Sequence, residues 1–140
     1  MMLLELFDSK VPYEVKRETA GQFKTEAIIN GRKIVFRAEL DRGPKGEYWD
    51  VSFEEQVDKF NATYGKTGSG KAFEVMAMVK ASLAEFRDRY HPEVVYFTAD
   101  TTDGSARANV YRRMVGSVLK GYELEETRGS IENLFVYRRM

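Results

Sequence analysis

The amino-acid sequence predicts a mixed α/β, or α+β, domain. A single central sheet, mostly antiparallel, carries two main helices. Three observations lead there. The first part of the chain alternates polar and apolar residues, with turn signals between the runs. After residue 72 the apolar period changes to that of a helix. Two helical stretches are then separated by a short continuous apolar run, which reads as a buried strand. The order is strands, Gly-rich loop, helix, strand, helix, two strands. Such an order fits helices packed on one sheet. With 140 residues and no linker or low-complexity segment, residues 1–140 read as one domain with a core of its own.

The elements follow in order. MMLLELF lacks the basic flank and the length of a signal peptide, and reads as a strand or helical turn packed on the core. Residues 12–19 are a first candidate strand. In TEAIINGRKIVFRAEL, Asn30-Gly31 stands between two apolar-rich runs. Both residues tolerate the positive φ that a tight hairpin demands. DRGPKG marks a second turn. EYWDVSFEE then alternates, with Trp49, Val51 and Phe53 on one face and Tyr48, Asp50, Ser52 and Glu54 on the other. VDKFNATY is polar and irregular.

From Ala72 to Tyr90, Met76, Val79, Leu83 and Phe86 recur at helical spacing, widened by Phe73 and Val75. His91-Pro92 ends this helix, because the residue before proline is pushed out of helical geometry. VVYFT, 94–98, is the buried strand, parallel to an earlier one. A second helix runs from Ser105 to Leu119, with Val110, Met114, Val115 and Val118 inward and Gly121 as its stop. Strands near 122–126 and 132–138 flank the turn TRGS.

Composition narrows the function. Lys plus Arg and Asp plus Glu are 22 each, so no net field draws the chain to nucleic acid or to a membrane surface. No apolar run reaches membrane-spanning length. The chain has no cysteine, which excludes disulfides, thiolate zinc sites and a cysteine nucleophile. The single His91 cannot build a histidine metal cluster, and no metal is expected. The expected compartment is the cytoplasm.

GKTGSGKA, residues 65–72, carries the chemistry. It reads Gly-x-x-x-x-Gly-Lys and then places Ala72 where a nucleotide-binding P-loop needs a hydroxyl for magnesium. No buried strand leads into it, although VVYFTAD imitates the acidic strand that follows such loops. What remains is an anion site. Glycines open a helix whose first N–H groups lack partners, the helix dipole is positive there, and Lys66 and Lys71 add charge. The competing reading is a solvated Gly-rich turn.

Three stretches, TGSGKAF, VVYFTAD and ANVYRRM…LKGYEL, in this order resemble the GNAT-type N-acetyltransferases, and in particular the small GNAT-like proteins of tailed bacteriophages. The likeness covers residues 47–138. It implies a cytoplasmic acyl-CoA-dependent N-acyltransferase with acetyl-CoA as donor. It further implies that Lys66, Thr67, Gly68, Ser69, Gly70, Lys71 and Ala72 hold the CoA pyrophosphate, with Ser105 at the start of the second helix also on the cofactor. The strand VVYFTAD would splay from its neighbour to admit the pantetheine arm. Tyr111 would protonate the CoA thiolate, and Glu54 or Glu55 would take the amine proton. By residue type alone, Tyr111 equally reads as a core tyrosine, and the two glutamates read as solvated strand-end charges. The chain departs from the pattern at Gly65 and Gly104. It also leaves no room for the two helices that usually sit between the first strands and shape the acceptor pocket. The resemblance therefore also admits an inactive GNAT-fold module that docks to a host protein.

Overall fold

A computed structural model describes residues 11–58, 61–63, 72–100, 106–128 and 132–140. The strands are β1 (Glu14–Thr19), β2 (Gln22–Ile29), β3 (Arg32–Gly43), β4 (Gly46–Asp58), β5 (Asn61–Thr63), β6 (Val94–Asp100), β7 (Tyr122–Arg128) and β8 (Glu132–Arg139). Helix α1 spans Ala72–Tyr90 between β5 and β6, and α2 spans Ala106–Val118 between β6 and β7. All strands join one sheet in the order β1-β2-β3-β4-β6-β8-β7, with β5 paired to β4 off that path. Every pairing is antiparallel except β4 with β6. The predicted class, a mixed α+β domain on one mostly antiparallel sheet with two main helices, is the class observed.

Local chemistry explains the hairpins. Asn30 and Gly31 adopt φ of 55° and 76°. Two successive left-handed residues make the tight turn whose twist matches the strands it joins. The next turn is tighter than DRGPKG suggests. β3 runs on through Asp41, Arg42 and Gly43, leaving only Pro44 and Lys45 between the strands. Gly46, at φ 112°, takes a conformation closed to other residues.

α1 matches its predicted bounds, and His91 ends it in the left-handed region at φ 46°, with its N–H on the Arg87 carbonyl. The Tyr122 hydroxyl donates to the Pro92 carbonyl, tying that corner to β7.

Both helices lie on the same face of the sheet. β4–α1–β6 and β6–α2–β7 are crossovers between parallel strands that travel the same way across the sheet. Crossovers of one hand then place their helices on one side. That face holds the core. Phe23 from β2, Phe36 from β3, Trp49 and Val51 from β4, Phe97 from β6 and Phe135 from β8 are buried against Val79, Leu83 and Phe86 of α1 and Met114, Val115 and Val118 of α2. Phe86 stacks on Phe23 at 6.2 Å and meets Trp49 edge-on at 5.0 Å. Full burial of one such ring contributes roughly 1.5–3 kcal/mol. A buried polar contact across this layer, Thr25 with Ser82 at 2.7 Å, satisfies both hydroxyls.

Two expectations fail here. VDKFNATY is not irregular throughout: β4 continues to Asp58, and Asn61–Thr63 pairs back on it. β-Pairing partners override the poor strand propensity of such residues. Because β4 is long, Glu54 is not at a strand end. It is buried, at 4% exposure, and does not behave as a solvated charge.

Candidate functional site

The parallel pair β4–β6 is the exception to the antiparallel pairing of the sheet. Its ladder has three rungs: Trp49↔Val95, Asp50↔Tyr96 and Val51↔Phe97. Beyond the last rung both strands go on, but with other partners. β6 stays laddered to β8 as far as Asp100↔Glu132. β4 stays laddered to β3 through Lys33↔Gln56 and takes up β5 from Glu55. Among the described residues no rung joins Thr98, Ala99 or Asp100 to β4. Sheet twist rotates neighbouring strands against one another, so two strands that stop bonding drift apart. From Glu55 on, β5 takes up the edge of β4 that β6 has left, so the candidate cleft is the short span beside Ser52–Glu54 in which no described rung joins β4 to a strand on that side.

The crossovers bring helix starts to the same end of the sheet. α1 carries the chain back from the end of β4 to the start of β6, so Ala72, its first residue, stands at the cleft end. α2 begins, at Ala106, just past the end of β6. Helix N-termini favour anions. Lys66, Thr67, Gly68, Ser69, Gly70, Lys71 and Ser105 lie outside the described residues, as does the opening MMLLELF.

Alternation along β4 divides the candidate carboxylates. Glu54 shares the second face, away from the helices, with Tyr48, Asp50 and Ser52. Its carboxylate pairs with the Arg37 guanidinium of β3. Glu55 is in register with Ile34, which puts its position on the helix-bearing face. Its side chain is outside the described residues.

Tyr111 lies four residues before Val115 and seven before Val118 on α2. Its position is in helical register with those two buried residues. Its side chain, too, is outside the described residues.

Next to the cleft the second face is acidic. Glu39 and Asp50 stand directly opposite each other on β3 and β4. The Asp50 carboxyl is held above the usual carboxylate range, first by partial burial and then by Glu39 and Asp41. Tyr48 and Tyr96 stack there, with ring centroids 4.1 Å apart. The Tyr48 hydroxyl donates to Asp41 at 3.3 Å.

The arginines of the C-terminal half mostly meet acids. Arg112 donates twice to Glu126, at 3.0 Å each, and covers the Phe135 ring at 5.7 Å. Arg139 reaches Glu93 and the His91 carbonyl. β1 and β2 are joined by Ala20 and Gly21 alone, so no helix stands between them.

Sequence reasoning missed Arg37. The signal was there, because a two-residue turn at 44–45 sets residue 37 opposite 52 and diagonal to 54. The exact limits of the turn decide that register, and DRGPKG left them open.

No protein-family model, curated protein or solved structure matches the chain. Among the described residues no group of three or more His, Asp or Glu is arranged to hold a metal, and no helix is long and apolar enough to cross a membrane.

Proposed function

We propose that the chain is an acyl-CoA-dependent N-acyltransferase of GNAT type, with acetyl-CoA as donor and direct transfer to an amine. The observation that carries this reading is the parting of β4 from β6 after Val51 and Phe97, at the end of the sheet where α1 and α2 begin. An extended arm bearing amides suits a gap between two strands, since strand edges offer donors and acceptors at matching intervals. Its diphosphate suits the N-terminus of α1, with residues 66–72 as the expected seat.

The residues then divide the chemistry between two faces. Bound acetyl-CoA supplies an activated acyl group. Glu54, on the second face, receives the proton of the attacking amine directly or through water. Tyr111, on the helix-bearing side, gives its hydroxyl proton to the departing thiolate. No nucleophilic side chain is needed, in keeping with a chain that has no cysteine. The acidic patch around Asp50 lies two residues along β4 from Ser52, beside the cleft mouth. The expected setting is the cytoplasm, that of an infected bacterium if the phage likeness holds.

Calorimetry with acetyl-CoA and with ATP tests the donor. Saturable acetyl-CoA binding with no ATP binding is the expected result, and the reverse sinks the reading in favour of a P-loop-like nucleotide binder. That alternative is disfavoured because β5, the strand before the Gly-rich loop, pairs antiparallel and spans only Asn61–Thr63. Tyr111→Phe is expected to lower turnover about 100-fold or more with little change in acetyl-CoA affinity; unchanged turnover removes Tyr111 as the acid.

A second reading, an inactive module docking to a host protein, is favoured by one observation. The direct β1–β2 turn leaves out the helices that would enclose an acceptor. A stoichiometric partner recovered from bacterial lysate by a protein that does not bind acetyl-CoA would select it.

A further inference from the structure

β3 brings to the cleft a residue with no role so far. Arg37 stands opposite Ser52, and so diagonal to Glu54 on the same face of the sheet. Its guanidinium pairs with the Glu54 carboxylate, whose side chain is 6% exposed while that of Arg37 is 28% exposed. A desolvated carboxylate left alone takes up a proton, whereas one beside a guanidinium stays ionised. Arginine keeps its charge at every ordinary pH.

The other charged groups of this face are identified by register. Lys24 and Glu26 of β2 pair with each other at 3.5 Å. Glu39 of β3 and Asp50 of β4 are both acids and oppose ionisation of a further carboxylate. β3 also carries Lys33, diagonal to Glu54 on the other side from Arg37; β6 contributes Tyr96 and, by strand alternation, the position of Asp100; and β5, Asn-Ala-Thr, contributes no titratable group. Of the two cations that β3 places diagonal to Glu54, Lys33 and Arg37, Arg37 is the one in an ion pair with it.

We infer that Arg37 is the positioning residue of the acyl-transfer site: it holds Glu54 ionised and fixed beside the parting of β4 and β6, so that Glu54 accepts the proton of the incoming amine. The inference rests on the acyl-transfer reading. It also selects Glu54 over Glu55. In the step it serves, a nitrogen–carbon bond forms at the acyl carbon and the carbon–sulfur bond breaks. The amine proton goes to Glu54, and the thiolate takes the proton of Tyr111. Both side chains then re-equilibrate with solvent.

The test compares wild type, Arg37→Met and Arg37→Lys. Carbon-13 NMR follows the Glu54 carboxyl against pH. Acetyl-CoA consumption against pH is measured with spermidine and with water as acceptor, and acetyl-CoA affinity by calorimetry. In Arg37→Met, the Glu54 titration and the acid limb of turnover should both move up, by about 1–3 pH units. Arg37→Lys should restore most of that shift, and acetyl-CoA affinity should not change. An unmoved Glu54 titration overturns the inference. So does a moved titration with an unmoved acid limb, which would leave the ion pair merely structural. If Arg37→Met does not fold, Glu54→Gln decides: its acid limb must vanish while acetyl-CoA affinity stays, and a persisting limb overturns the inference. Failure of the underlying reading looks different, because wild type itself then neither binds nor consumes acetyl-CoA, and the positioning role falls with it.

Discussion

The two edges of β4 are held in opposite ways. Toward β3 the ladder is unbroken from Lys33↔Gln56 to Gly43↔Gly46. Toward β6 it lasts three rungs, and the two strands then follow different partners. One strand thus has an edge committed to a single partner and an edge divided between β6 and, from Glu55, β5. The core is placed accordingly: Phe36 and Phe53 face each other across the committed edge, both buried. The lesson is that two strands can part within a sheet without thinning its core, provided each keeps its ladder on the far side.

The largest effect should come from breaking the committed edge. Phe36→Ala is expected to cost about 3–5 kcal/mol in urea unfolding, because a fully buried ring leaves a cavity. A loss below about 1 kcal/mol would show that this edge does not carry the fold. Thr98→Ala, on the open side and exposed, should stay within about 0.5 kcal/mol.

Next in size is the effect of filling the cleft. Acetyl-CoA at about 100 times its Kd should stabilise the protein by about 2.7 kcal/mol. Hydrogen exchange should localise the gain. Amides of Thr98–Asp100 on the β4 side should slow on binding, while those of Arg37–Asp41 stay as they were. Uniform slowing, or none, would argue against a guest between these strands.

A smaller effect is expected at the helix stop. Gly121 has φ 86° with nothing within 4 Å of where a Cβ would stand, so Gly121→Ala meets backbone strain alone. The expected cost is about 1–2 kcal/mol by thermal unfolding. No loss would mean that the turn relaxes.

The smallest effect sharpens the electrostatic contrast. The folded-state pKa of Asp50 is raised, by partial burial and then by Glu39 and Asp41. A raised carboxyl favours the folded state only while it is protonated, and that benefit is lost as pH rises through its range. Asp50→Asn should therefore stabilise at neutral pH, by under about 1 kcal/mol for a like-charge pair on facing strands. The gain should vanish below the pH at which Asp50 is protonated in both states. A gain that persists in acid would point to something other than repulsion.

Much of the fold was legible in the sequence, because its signals are local. Asn30-Gly31 specified a hairpin, the spacing of Met76, Val79, Leu83 and Phe86 specified α1, and Gly121 marked the end of α2. The extension of β4 was not legible. Gln56, Val57 and Asp58 have no strand pattern of their own and are ordered by ladders to β3 and β5. The burial of Glu54 was hidden for the same reason, since it depends on how far the strand continues. The Glu54–Arg37 pair spans 17 residues of sequence and needs a register that no single segment contains. The Gly-rich loop suggested an anion seat by residue type, and its residues 64–71 lie outside those described.

The short link at Pro44-Lys45 has a reach beyond its own corner. It sits about 20 Å of strand away from Arg37. It nevertheless decides which residue of β4 this guanidinium meets, because each rung of the hairpin is counted out from that closure. Inserting a single residue there would slide one strand past the other, and one step of slippage swaps the sides on which side chains emerge. The bend works as a ruler for a carboxylate at the far end of the molecule, so its length, more than its composition, should resist change.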